Sequence, residues 1–150
     1  MPPTPADAVQ RAQTVLAWAW MVRTFVKHSP EVEEFPELMG VVRAVFDTCR
    51  ALEPRVADPP SYLSKLRARW PKLRDAAAEF ARDASLASDH TNFKQAVVAM
   101  NGCVAELAEI LAQFPPPAPP AMPTTFLRAA PSGTLPDAPA DTPPSNSPPS

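Results

Sequence analysis

Two stretches decide the fold: Leu63–Ala84, LSKLRARWPKLRDAAAEFARDA, and Phe93–Phe114, FKQAVVAMNGCVAELAEILAQF. In the first, Leu63, Leu66, Trp70, Leu73, Ala77, Phe80 and Ala84 are spaced 3-4-3-4-3-4. In the second, Phe93, Ala96, Met100, Cys103, Leu107, Ile110 and Phe114 repeat that spacing. A strict repeat of about 3.5 residues keeps one seam of a helix turned toward its neighbours at a shallow crossing angle. Each stretch therefore predicts a long helix buried along one edge. Pro71 is expected to bend or locally break the first of them, and Ser88 or Asp89 to cap the second.

Upstream, Thr4-Pro5-Ala6-Asp7 announces another helix: threonine caps, proline takes the first turn, and an acid follows three residues past the cap. Val9, Ala12, Leu16 and Ala19 recur at helical spacing, and so do Val15, Trp18, Val22 and Phe25. The two stripes together predict a wide apolar face packed on two neighbours. Lys27 and His28 suit the negative end of the helix dipole, and Ser29-Pro30 stops the chain there. A short turn is expected over residues 30–34 and the main second helix from about 36 to 53. Its inward positions are Leu38, Val41, Val42, Val45, Cys49 and Leu52, and Asp58 is the expected cap of the next helix. No alternating β-branched run occurs, so the sequence predicts an all-α, four-helix up-down-up-down antiparallel bundle over residues 1–114.

Composition divides the chain at the end of the last seam. Of 22 prolines, thirteen lie between Pro115 and Pro149. Residues 115–150 hold too little apolar surface to order themselves, so a disordered proline-rich tail is expected there. Its P-x-x-P spacings favour polyproline II, and Phe126-Leu127 is its apolar island and candidate docking point. The net charge of −2 argues against a global attraction to nucleic acid. Val15–Val26, interrupted by Arg23 and Thr24, falls short of a membrane span. A basic, apolar leader is absent from MPPTPADAVQ, so the expected location is the cytoplasm, with no membrane partner. Cys49 and Cys103, on diagonal helices, are expected to be free thiols.

Helical topology of this kind gathers both histidines and several acids at one pole. His28, Glu31, Glu34 and His90 are the candidate metal ligands, since imidazole and carboxylate suit zinc, iron or manganese. Glu33-Glu34-Phe35-Pro36-Glu37 resembles the E-E-x-x-E half of the motif of MazG-like nucleoside triphosphate pyrophosphatases, all-α proteins whose acids hold magnesium. That resemblance implies nucleotide hydrolysis. Its second half, E-x-x-D, is missing, because Glu53 and Asp58 are five apart and Glu79 and Asp83 four. Arg23-Thr24-Phe25-Val26-Lys27-His28 resembles the R-x4-H pattern of the HEPN ribonucleases, also helical bundles. There the pair implies handling of a scissile phosphate.

Lys65, Arg67, Arg69, Lys72 and Arg74 place five cations in ten residues. Lys65, Arg69 and Lys72 share a face, which forms a candidate phosphate-gripping stripe. The expected function is a non-enzymatic, adaptor-like bundle that binds another protein or a second copy of itself, with no cofactor. The alternatives are a small metal-dependent phosphoester or nucleotide hydrolase at the His/Glu pole, and weak nucleic-acid binding by the basic stripe.

Overall fold

The computed structural model describes residues 1–121, and among them every regular element is helical. The helices are α1 (Pro5–Lys27), α2 (Glu31–Glu34), α3 (Met39–Leu52), α4 (Pro59–Ala87) and α5 (Thr91–Gln113). Single 3-10 turns at Pro36–Leu38 and Glu53–Arg55 lead into and out of α3. The short turn expected over residues 30–34 is α2, ended by Phe35, and the main second helix expected from about 36 to 53 is the 3-10 turn at Pro36–Leu38 followed by α3. Residues Met1–Pro117 cohere as one unit. Residues 118–121 carry no helix, and Phe126 and Leu127 lie outside the described residues.

Local chemistry starts the helices. At α1 the Thr4 backbone N–H donates to the Asp7 carboxylate at 2.8 Å, while the Asp7 N–H donates to Thr4 Oγ1 at 3.2 Å. This reciprocal box satisfies donors that a helix start leaves orphaned. It also holds the Asp7 carboxyl below its ordinary value, the Thr4 backbone bond contributing most. At α4, Asp58 Oδ1 accepts from the Ser61 N–H at 3.2 Å, with Pro59 in the first turn. The α5 cap differs from expectation. His90, not Ser88 or Asp89, caps it, its Nδ1 accepting the Asn92 N–H at 3.1 Å. Ser88 instead ends α4, and its hydroxyl accepts from the His90 N–H.

Helix α4 runs unbroken through Pro71. Proline removes one backbone donor and crowds the preceding turn, but Pro71 lies on the exposed side, where water can serve the freed carbonyl.

The core follows the seams. Leu63, Leu66, Leu73, Ala77, Phe80 and Ala84 of α4 are buried, as are Phe93, Ala96, Met100, Cys103, Leu107 and Ile110 of α5. Trp70 and Phe114 are half-buried, and the Trp70 indole donates to the Val104 carbonyl at 3.0 Å. Helix α1 packs on α3 and α5, α4 packs on the same two, and α1 also touches α4. Arg11 near the start of α1 meets Glu106 near the end of α5, and Phe25 near the end of α1 meets Phe93 at the start of α5. The Cys103 thiol donates to the Val15 carbonyl at 3.5 Å between these contacts. In α3, Thr48 takes a buried position and its hydroxyl donates to the Ala44 carbonyl at 2.7 Å, whereas Cys49 is only half-buried. Both thiols are free.

Helix α5, not Val15–Val26, is long and apolar enough to cross a membrane by length and composition, with a mean hydropathy of 1.3. Only Lys94, Glu106 and Glu109 are charged along it. Its apolar seam is turned into the core, as a core helix's is.

Candidate functional site

Helix α1 carries more apolar surface than its neighbours cover. Val9, Ala12, Val15, Leu16, Ala19, Val22 and Val26 are buried, but Trp18 is 56% exposed and Met21 67% exposed, and Phe25 is exposed as well. Trp18 and Phe25 therefore do not join the inward stripe that spacing alone predicts. Successive residues turn about 100° around a helix, so Trp18, Met21 and Phe25 cluster beyond the edge of the buried arc. They form an outward apolar edge beside α5. Phe25 leans on Phe93, ring centroids 5.1 Å apart at 60°, within the range of favourable aromatic pairs.

Below this edge opens a cleft of about 540 Å³, lined among others by Met21, Phe25, His28, Glu31, His90 and Phe93. Three of the four candidate metal ligands thus reach one cleft, and Glu34 is not among its lining residues. His90 Nδ1 is already occupied by the Asn92 N–H. Among the described residues, no three His, Cys, Asp or Glu side chains gather as a metal-holding group.

The two partial motifs are taken apart by the fold. Glu33, Glu34 and Glu37 are exposed and fall on either side of the break at Phe35, so no single helix presents them. Arg23 stacks over the Trp20 ring at 4.2 Å and the Phe46 ring at 5.4 Å. His28 lines the cleft beside Phe93. The fold gives that arginine and that histidine different surroundings.

The basic stripe of α4 is divided too. Arg67 donates to the carbonyls of Leu111 and Phe114, closing the end of α5. Arg74 lies 5.0 Å over the Trp70 ring and pairs with Asp75. Arg69 and Lys72 line a groove of about 320 Å³ between α3 and α4 that also holds Arg43, Asp47, Asp75 and Glu79. Three acids among three cations make a mixed field there, unlike the single-sign surface that holds phosphates. Lys65 is half-buried on the same helix.

Comparison with known protein families, curated proteins and solved structures gives no match to this chain. The outward edge of α1 escapes a reading by stripes because Met21 belongs to neither stripe. Its signal was present in the total apolar arc, which is wider than the neighbouring helices cover.

Proposed function

We propose that this chain is a non-enzymatic protein-interaction module, an up-down-up-down antiparallel bundle of four long helices that offers the Trp18–Met21–Phe25 edge of α1 to a second protein. The carrying observation is the alignment of those three exposed side chains, three and four residues apart, on a helix whose other face is buried. Contiguous exposed apolar surface on a soluble fold marks a contact site more often than chance. Tryptophan and methionine are also enriched in the interiors of interfaces. A helix fixed by its cap and its packing holds the three in register, which spares the interface part of the ordering cost. The matching partner surface is an amphipathic helix whose apolar residues recur at the same spacing.

Site-specific photocrosslinking from position 21 tests this. A crosslinking residue at Met21 should yield one dominant adduct, mapped to an apolar helix of the partner or of a second copy, and Trp18→Ser should suppress it. The same residue at Arg82, on the exposed surface of α4, should give none of that adduct. Equal adducts from both positions, or none from Met21, would end the proposal.

A further inference from the structure

The opposite flank of α1 holds a second cleft of about 490 Å³, between α1 and α3. This volume falls within the range of about 300–1,000 Å³ typical of small-molecule sites. Leu16, Trp20, Phe46, Leu52 and Val56 supply apolar walls, and Gln13, Cys49 and Tyr62 add uncharged polar groups. Trp20 and Phe46 stand 6.2 Å apart at 36°. The Arg23 guanidinium lies over both rings and links them, so the aromatic wall is held in place.

Tyr62 is the decisive residue. It is 1% exposed, it lines the cleft, and its hydroxyl takes part in none of the hydrogen bonds among the described residues. Among the described residues the buried side-chain polar atoms without a partner are Arg23 Nε and Arg55 Nε, so the Tyr62 oxygen still reaches solvent and a bound acceptor can meet it there. Burial, with the Cys49 thiol adding to it, pushes the phenol up to about 12, so at neutral pH it is a hydrogen-bond donor. Burial also pushes the Cys49 thiol up, which keeps it mostly protonated at neutral pH and slow to react, although Arg23 opposes the shift. At the mouth, Arg50 and Glu53 pair with each other at 3.2 Å and leave the rim without net charge.

We propose that the cleft between α1 and α3 binds a neutral aromatic small molecule carrying one hydrogen-bond acceptor, which the Tyr62 hydroxyl recognises. Stacking surface comes from Trp20 and Phe46, and the self-paired rim disfavours an anion or a cation. This site is independent of the apolar edge on the other flank of α1.

Fluorescence titration of the full chain with prodan, a neutral naphthalene bearing a ketone, provides the test. Expected is saturable binding at one site per chain, with blue-shifted emission. Ala17 is exposed and lines the cleft, so Ala17→Trp fills it at little cost to the core and should weaken binding about tenfold or more. Tyr62→Phe keeps the ring and should weaken binding about fivefold, in the range of one lost hydrogen bond. Alkylation of Cys49 by iodoacetamide should slow when prodan is bound. The anionic probe anilinonaphthalene sulfonate should bind at least about tenfold more weakly, because the Arg23 guanidinium is stacked on the Trp20 and Phe46 rings and does not line the cleft, so an anion loses its hydration without a direct cationic partner. Absence of saturable prodan binding, or unchanged binding by Ala17→Trp, overturns the site. Equal affinity for the anionic probe overturns the ligand class, and unchanged binding by a folded Tyr62→Phe overturns the recognition. Should Tyr62→Phe fail to fold, Ala17→Trp and Cys49 protection still decide the location.

Discussion

Helix α5 and helix α1 have the same length, 23 residues, and both are rich in apolar side chains, yet they spend them differently. On α5 seven residues keep the 3-4 repeat and six of those seam positions are buried, while Val98, off the repeat, is 64% exposed. On α1 they spread around a wider arc, and only the part facing α3, α4 and α5 is covered. Regular spacing therefore indicates burial where apolar content by itself does not. A helix can bury the arc its neighbours cover, and apolar residues beyond that arc stay in water whatever their hydropathy.

The contrast breaks most visibly at the seam. Leu66→Ala removes a side chain with no solvent exposure, and urea unfolding should show a loss of about 2–5 kcal/mol from transfer and cavity terms. A smaller loss would mean that the seam is not packed as the structure has it.

A second measurement sharpens the comparison at Tyr62, the chain's one tyrosine. In the folded protein its tyrosinate absorbance should rise with a midpoint near 12, against the ordinary value of 10 in the unfolded chain. The folded-state value is the higher one, so its contribution is fully present below 10 and is lost as pH rises from 10 toward 12. The melting temperature should therefore fall across that window, and less steeply in Tyr62→Phe. A titration near 10 in the native protein would show that the ring is not enclosed.

Next in size is the start of α1. Thr4→Ala removes the reciprocal cap and should cost about 1 kcal/mol, read as a lower urea midpoint at unchanged slope. No change would mean that the first turn frays in the parent chain. The smallest effect should come from the outward edge: Trp18→Ser should alter stability by less than about 0.5 kcal/mol, as a surface change does. The photocrosslink from position 21 should disappear in the same variant. A loss of stability like that of Leu66→Ala would place Trp18 in the core and remove the contrast.

Much of this fold was legible in the order of residues. The caps Thr4 and Asp58, the stop at Pro30, the start of α3 and both seams are local signals, carried by a few neighbouring side chains and by spacing. The candidate site was legible only in part. His28, Glu31 and His90 do meet at one cleft, as the order of the helices implies, but Glu34 is absent from it. His90 escaped notice as a cap because Ser88 and Asp89, better formers by type, stand just before it. Pro71 is expected to bend or locally break α4 because proline lacks a backbone donor, yet α4 continues through it on the exposed side of the helix.

By itself, then, the sequence determined the helices, where most of them begin and end, and which edges of α4 and α5 lie inward, because backbone hydrogen bonding and side-chain periodicity act within a few residues. Tertiary structure alone decided which apolar residues of α1 remain in water, where the guanidinium groups of Arg23 and Arg67 lie, and that Tyr62 lines a cleft with residues of α1 and α3. Each of those depends on atoms brought together from distant parts of the chain. Arg67 reaches Phe114 across 47 residues, a relation set by how whole helices pack and by no local pattern.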